Sequence, residues 1–396
     1  MRWSYYFRCY FIACGHKFFI IFCDIFRSPL LRSLFWHRIY IVILFLLYKY
    51  IIIYHYKLMQ GLENIGATCA INSLVQIICR NNHLRETILS YDMKEDTFTS
   101  NLKEILVLMH EKDKSLIPRK FVKKVFKTFD GTFRYGEQLD IYELWIYLSD
   151  AITNEVNDNP EYYKIINEDT NTSDKLTNGV VINNDSDFNR ILLNSNRLKE
   201  KFDYYNVKLN NNKLSKWQSL IQGFYLNIIK CTKCNNTLYN FESFITLNLN
   251  ITDKNLSVVD MIKQIYIEEV KCDDWVCSKC NEKTKYIKQT KLWSLPKVIF
   301  IVINRFSDIF RKNTEAININ DVLQFNEGTI LSSPNSKKTY NLSSIAMHIG
   351  NLNSGHYMAI CNNRENYLLY NDLDIKEITN FKNNNNTAYM IIYSEL

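Results

Sequence analysis

Two Cys-x-x-Cys pairs, Cys231–Cys234 and Cys277–Cys280, place the tightest constraint on how this chain can fold. Each pair is a chelating knuckle, and the whole of 235–276 lies between them. Four thiolates with no open position suit a single tetrahedral structural zinc, which ties two hairpins together at their tips. The separation is longer than in a compact zinc ribbon and calls for a finger extended on long strands. Disulfides are the competing use of the same thiols, and a reducing compartment disfavours them. A zinc-ribbon nucleic-acid binder is another competitor, but the strands around these cysteines carry no basic, aromatic-interleaved face. Cys272 lies nearby, but the Cys272-x4-Cys277 spacing makes a poorer knuckle and leaves it out of the site.

A different cysteine sits in the stretch Gly61 to Leu74. Gly61 and Gly66 punctuate a loop, Thr68 is placed to N-cap, and Ala70 to Ile78 has the character of a buried helix. Cys69 would then stand at a helix N-terminus, where unpaired N–H groups and the macrodipole favour a negative sulfur. Most of the chain later comes Gly355-His356-Tyr357. A fold that joins the two supplies a base for the thiol. From this segment alone, an ordinary buried cysteine is an equal alternative.

The order of motifs decides between them. The stretch Gly61-Leu62-x-Asn64-x-Gly66-x-Thr68-Cys69-x-x-Asn72-Ser73-x-x-Gln76 resembles the cysteine box of the ubiquitin-specific proteases, a family of deubiquitinating cysteine proteases. Gln138-Leu139-Asp140-Ile141-Tyr142-Glu143-Leu144 is similar to their acidic box, and the two knuckles to their finger. Leu295 to Ile299 and Asn304-Arg305-Phe306 resemble the strand segment that follows the finger. Tyr340-x-Leu342, His348-x-Gly350, Gly355-His356-Tyr357 and Tyr370-Asn371-Asp372 look like the histidine box, and Ala388 to Tyr393 closes the series. The resemblance spans residues 60–394 in the family's order.

It implies an α+β, papain-like cysteine protease with a helical thumb, zinc-bearing β fingers and a β palm. The catalytic domain would cover 60–395, with the thumb at about 60–215, fingers at about 222–290 and palm at about 291–395. The residues themselves agree. Helical spacing marks Leu102 to His110 and Gln138 to Ile152. Strand patterns mark Gly223 to Ile229, Phe244 to Ile251, Lys297 to Ile303 and Tyr367 to Asn371. Residues 158–198 are crowded with Asn, Asp, Ser and Thr, as in a flexible surface insertion.

By resemblance Cys69 is the nucleophile and His356 the base, with His348 as its competitor. Asn371 would orient the imidazole and Asp372 support it, although which of them dominates is open and a simple turn is the alternative. Asp374 is a weaker third choice. Asn64 resembles the side-chain oxyanion donor, partnered by the Cys69 N–H. Gln138, Asp140, Glu143, Gly355 and Tyr357 would contact the substrate. Asp140 and Glu143 are expected on one helix face, where carboxylates would hold the arginines of ubiquitin's tail in a channel narrow enough to select Gly-Gly; by resemblance Asp140 is the better tail contact, and a solvated acidic face is the alternative. Ala70 and Ile71 depart from the family, which prefers an aromatic residue and then Met or Leu. That departure puts rate and selectivity in question, not reaction type.

The implied activity is hydrolysis of isopeptide or peptide bonds after ubiquitin's terminal glycine through a Cys69 thioester. Ubiquitin and ubiquitinated proteins would be the partners, with one structural zinc on the four finger cysteines and no organic cofactor. Two rivals stand beside it: a ubiquitin-binding pseudo-enzyme, and a protease for another modifier ending in Gly-Gly. Joint retention of Asn64, Cys69, His356 and Asn371 favours catalysis, because a binding module needs none of them. The net charge of +7 is modest and spread along the chain, so it suggests solubility and no nucleic-acid partner. Of the eleven cysteines, four form knuckles and one has a nucleophile context, which points to a reducing compartment, cytoplasmic or nuclear.

Residues 1–57 stand apart. Ile39 to Tyr56 is almost continuously apolar, broken by Lys49 and His55, and is close to the ~20 residues a membrane span requires. Arg2, Arg8, Lys17, Arg27, Arg32 and Arg38 precede it, so the positive-inside rule would leave the protease on the wrong side of a single span. Two readings follow: a non-native segment with Met59 as the true start, or a membrane anchor.

Overall fold

The computed structural model describes residues 60–111, 116–165, 196–266, 269–271, 275–306, 311–351, 354–363 and 366–396. The N-terminal segment 1–57, Cys272 and most of the expected insertion lie outside these ranges. Helices come first: α1 (Cys69–Arg80), α2 (Asn82–Leu89), α3 (Phe98–Glu111), α4 (Arg119–Thr128) and α5 (Ile141–Asn157). After β1 (Tyr163–Ile165) come α6 (Asn196–Leu209), β2 (Lys213–Ser215) and α7 (Lys216–Ile221). The segment expected to be a flexible insertion thus contains a described strand, which pairs with β2.

Every residue of α1 from Cys69 to Cys79 is buried, so its polar side chains need internal partners. Gln76 finds one in the Gln60 carbonyl, at 2.6 Å. The helix expected from Gln138 begins only at Ile141. Asp140 is its N-cap, its Oδ1 accepting from the N–H groups of Tyr142 (2.7 Å) and Glu143 (3.1 Å). Asp140 is therefore the cap and lies outside the helix whose first turn carries Glu143. An aspartate at this boundary satisfies orphan N–H donors better than it would continue the helix.

Strands dominate beyond Gln222, where the strand patterns begin. The finger sheet runs in the order β4 (Thr237–Phe244), β3 (Gly223–Cys231), β7 (Tyr286–Ser294), β6 (Glu269–Lys271). The larger sheet contains β5 (Leu247–Asn250), β8 (Val298–Asn304), β9 (Val322–Phe325), β10 (Lys338–Gly350), β11 (Gly355–Asn362), β12 (Tyr367–Asn371), β13 (Asp374–Ile378) and β14 (Ala388–Glu395). Its order is β13-β12-β11-β10-β14-β8-β5, with β9 pairing β10, and only β5–β8 is parallel. The single strand expected over Phe244 to Ile251 is two strands, because there the chain crosses from the finger sheet to the larger one. A further helix, α8 (Val258–Gln264), follows β5.

The large sheet is covered on both faces. Helices α1–α5 and α7 share one hydrophobic core with one face, where the Trp145 ring stacks on Phe300 at 3.7 Å. A second core fills the other face around Ile299, Ile301 and Ile345. Burial from both sides explains why Val298 to Ile303 is an unbroken apolar run. At the end of β8 the guanidinium of Arg305, fully buried, donates to the carbonyls of Ala388 (2.7 Å), Glu315 (2.9 Å), Asn313 (3.0 Å) and Asn385 (3.3 Å). Burial pulls its pKa down to about 10. The cation thus ties the end of β8 to β14, to the segment after β8 and to the segment before β14.

Candidate active site

The loop entering α1 is held by Asn64. Its Oδ1 accepts from Thr68 N–H (3.1 Å), Gly66 N–H (3.2 Å) and the Thr68 hydroxyl (3.2 Å). Gly66 and Ala67 both have positive φ, +117° and +53°, which bends the chain sharply into the helix. Thr68 occupies the N-cap position, but its hydroxyl turns back to accept from Ile65 N–H at 3.1 Å and does not cap α1. The helix-start N–H groups are consequently left to the thiol. Hydrogen bonds from the backbone of Tyr357, Ala70 and Cys69 stabilise the thiolate, yet burial outweighs them and Asp372 adds repulsion, so the Cys69 thiol sits above its ordinary range. The expectation of a helix start that simply favours a negative sulfur is corrected by this balance: Cys69 is only 3% exposed.

Helix α1 packs on β11, which carries His356. The His356 Nε2 lies 2.6 Å from Asn371 Oδ1, and the amide carbonyl can only accept. The ring is thereby fixed as the Nε2–H tautomer, leaving the Nδ1 lone pair free to act as a base. Asn371 and Asp374 close the β12–β13 hairpin, with Asp372 in its turn at φ +53°. Asp372 stands 4.0 Å from the ring nitrogen. Its closer partners are Asn72 Nδ2 on Oδ1 (2.8 Å) and Asn64 Nδ2 on Oδ2 (3.0 Å). The turn thus makes two different contacts: Asn371 bonds the imidazole, and Asp372 accepts from the amides of Asn64 and Asn72. Asp374 has no contact with the imidazole among the described residues. The Cys69 loop lies directly on this turn: Leu62 N–H donates to Asp372 O at 2.9 Å, and a Cβ at Gly61 would come within 2.5 Å of Leu373 O.

Asn72 was visible in the sequence, three residues beyond Cys69, but nothing there assigned it a role. Asn64 commits one N–H to Asp372 and retains a second that has no partner among the described residues. Gln138 forms a two-point pair with Gly355: its Oε1 accepts from the glycine N–H (2.6 Å) and its Nε2 donates to the glycine carbonyl (2.5 Å). Asp140 Oδ2 accepts from the hydroxyls of Tyr389 (2.8 Å) and Tyr357 (3.3 Å). Both Asp140 oxygens are thus engaged, Tyr357 is buried, and Glu143 is the exposed carboxylate at this end of α5. Tyr389, which the sequence places in the closing motif without a role, completes this buried clasp. His348, the competing base, is only 4% exposed, and its Nδ1 is taken up by Lys312 Nζ at 3.0 Å.

The four finger cysteines converge. Their Sγ atoms all lie within 4.8 Å of one another, with those of Cys234 and Cys277 3.6 Å apart. The two knuckles have the same backbone design. Asn235 N–H returns to Cys231 O (3.0 Å) and Asn281 N–H to Cys277 O (2.8 Å), with both asparagines at positive φ, +56° and +54°. All four are free thiols, and Zn–S bonds of ~2.3 Å demand S···S separations of ~3.8 Å, which this cluster fits.

The family model for ubiquitin carboxyl-terminal hydrolase matches residues 60–393. The chain is 24% identical over 380 residues to ubiquitin carboxyl-terminal hydrolase 4 of Saccharomyces cerevisiae, covering 84% of this chain and 39% of that protein. To human ubiquitin carboxyl-terminal hydrolase 21 it is 22% identical, covering 84% of this chain and 61% of the other. The chain therefore spans about two fifths to three fifths of the length of these relatives. Its fold is similar to that of a chain in the SAGA Ubp8/Sgf11/Sus1/Sgf73 DUB module bound to ubiquitin aldehyde, with a TM-score of 0.61 and 19% identity, covering 87% of this chain and 70% of that one. With a family model matched over residues 60–393, well over half of its length, this chain belongs to the ubiquitin carboxyl-terminal hydrolase family, in its papain-like form of helical thumb, β fingers and β palm.

Proposed function

We propose that this chain is a thiol-dependent deubiquitinase that cleaves isopeptide or peptide bonds after the terminal glycine of ubiquitin. The observation that carries the reading is the His356–Asn371 bond of 2.6 Å, formed on the strand against which the Cys69 helix packs. His356 Nδ1 takes the Cys69 proton as the sulfur attacks the glycine carbonyl carbon. The Cys69 N–H and the uncommitted N–H of Asn64 receive the oxyanion. His356 then returns the proton to the leaving amine, and the C–N bond breaks to leave a thioester. Water, deprotonated by the same ring, attacks that thioester, releasing the glycine carboxylate and restoring the thiol. A raised thiol suits this sequence, because the proton leaves only when the base is aligned.

Asp372 supports Asn64 and Asn72 in this scheme. Gln138, Gly355 and Tyr357 form the wall of the tail channel, and Glu143 is the carboxylate free to meet a tail arginine. Cys231, Cys234, Cys277 and Cys280 would hold one zinc that ties the finger hairpins together. A protein of like fold has been solved with ubiquitin aldehyde, which supports ubiquitin as the partner. No helix among the described residues is long and apolar enough to cross a membrane. A cytoplasmic or nuclear site of action accords with the free thiols.

The test is incubation with ubiquitin carrying a C-terminal electrophile, followed by mass mapping. A single adduct on Cys69, abolished in Cys69→Ala while ubiquitin binding survives, supports the proposal. An adduct on Cys79 or Cys361 would overturn it.

A further inference from the structure

Tyr135 stands in the connection between α4 and α5, a few residues before Gln138, and the catalytic scheme gives it no task. It is 62% exposed, so its ring adds little to the core. The ring nevertheless has a seat, edge-on to Phe126 of α4 with centroids 5.4 Å apart. From there the hydroxyl donates to the Ile65 carbonyl at 2.7 Å. That carbonyl and the Gly66 N–H belong to one peptide plane, and the N–H donates to Asn64 Oδ1 at 3.2 Å. The plane is therefore held at both ends, by Tyr135 on its oxygen and by Asn64 on its hydrogen.

We propose that the Tyr135 hydroxyl keeps the Ile65–Gly66 peptide plane from turning over, and thereby holds Asn64 in the orientation that receives the oxyanion. This deepens the deubiquitinase reading and rests on it. Gly66 has φ +117°, in a region that side chains avoid. Glycine populates positive and negative φ about equally, so the backbone alone does not choose between this plane and its reverse. Half a turn of the plane would carry φ to an ordinary negative value at little cost. It would also aim the Ile65 carbonyl at Asn64 Oδ1, acceptor against acceptor. Relief requires the Asn64 amide to rotate. Its Nδ2 would then leave the oxyanion and Asp372 Oδ2, its partner at 3.0 Å, together.

The hydroxyl is well placed to oppose that rotation. A Cβ at Gly66 would lie 3.7 Å from the Tyr135 oxygen, so the hydroxyl sits over the residue that would turn. The same stretch of chain reaches the strand of His356, where Gln138 pairs with both polar groups of Gly355. Tyr135 and Gln138 thus fasten the Asn64 loop and the His356 strand to one short segment. Tyr135 acts only through the peptide plane and Asn64, which makes it a positioning residue.

The inference is tested on the full chain by steady-state cleavage of a ubiquitin C-terminal amide and by amide exchange with 15N-glycine labelling. Losing one neutral hydrogen bond is worth about 3- to 10-fold. Tyr135→Phe should lower kcat by that factor with KM unchanged, because the oxyanion contact is made only in the transition state. The Gly66 amide should exchange faster by a similar factor, while the thermal midpoint stays at the wild-type value. Asn64→Ala removes the group through which Tyr135 acts, so Tyr135→Phe should cost nothing further on that background. Unchanged kcat, a loss confined to KM, unchanged Gly66 exchange, or additive losses with Asn64→Ala would overturn the proposal. A merely structural tyrosine would lower the midpoint and leave kcat alone. If Asn64→Ala has no measurable turnover, kcat and Gly66 exchange in Tyr135→Phe decide by themselves. Wild type without turnover strikes the hydrolase reading and the catalytic use of the plane with it, whereas an active wild type with unchanged kcat in Tyr135→Phe strikes this inference only.

Discussion

The finger cysteines and Cys69 differ in how much of the chain is needed to build their surroundings. Each knuckle is shaped by its own few residues: Cys231 N–H bonds Asn236 O, Cys277 N–H bonds Glu282 O, and an asparagine in the left-handed region closes each turn. Around Cys69 almost nothing is local. Asp372 reaches Asn64 and Asn72 across about three hundred residues of sequence, and His356 meets Asn371 only after a hairpin has formed. A locally made knuckle can form early but needs an ion to hold its distant twin. The catalytic cleft needs no ion, but it exists only when the helical and strand halves have docked. Loss of metal and loss of docking should therefore damage the two centres differently.

The largest effect expected is chemical. Cys69→Ala should lower kcat/KM by about 10³-fold or more, since a group that forms the covalent intermediate has no substitute. Its thermal midpoint should remain near that of wild type, because the substitution removes one sulfur from a large core. Parallel hydrolysis assays and calorimetry check this. A collapse of the midpoint would show that the sulfur also supports the docking seam.

Removing the finger metal should act on stability first. Elemental analysis should find one zinc per chain, and Cys280→Ser should abolish it and cost about 3 kcal/mol or more of finger stability. The pH midpoint of Cys69 alkylation should not move, since burial, Asp372 and the backbone of Tyr357, Ala70 and Cys69 set the thiol, and none of these groups is in the finger. If zinc loss shifts that midpoint, the two centres are coupled and the contrast between them fails.

Asp372→Asn probes the cleft alone. A carboxylate beside a thiolate destabilises it, and Asp372 raises the Cys69 pKa. Neutralising it should therefore move the iodoacetamide alkylation midpoint of Cys69 to lower pH. Turnover should nevertheless fall about 10-fold, because Asn64 and Asn72 exchange a charged acceptor for a neutral amide. A midpoint that rises would mean that hydrogen-bond geometry, and not charge, sets the thiol.

The same contrast governs what could be read before folding. The knuckles were legible as spacing alone, since a chelating turn is a short-range object. The α+β order, and the strands β3, β8 and β12, followed from the strand patterns that begin near Gln222. The family motifs located Cys69, His356, Asn371 and Asp372. What stayed hidden were partnerships that no local pattern encodes: Asn72 with Asp372, Lys312 with His348, and the Tyr357–Tyr389 clasp on Asp140. Asp140 was misplaced for a physical reason. Spacing alone put it on a helix face beside Glu143, whereas helix-end donors made it a cap. The Cys69 thiol was misjudged similarly, because a helix start is visible in sequence and the burial opposing it is not.

The smallest effect sharpens the comparison through backbone strain. Left-handed residues occur in both regions, but the knuckles use Asn235 and Asn281, whereas the Cys69 loop uses Ala67 at φ +53°. Asparagine tolerates this conformation, while for alanine it costs on the order of 1 kcal/mol. Glycine removes that strain but gains freedom in the unfolded chain, which returns part of the benefit. Ala67→Gly should therefore stabilise the protein by up to about 1 kcal/mol in denaturant titrations, and Asn235→Gly should give less. The strain would then lie where the chain bends Cys69 into α1, and relieving it should not raise kcat, because the bend itself is held by the three hydrogen bonds to Asn64 Oδ1. Equal gains at both positions would mean that the catalytic loop is under no more strain than the metal knuckle.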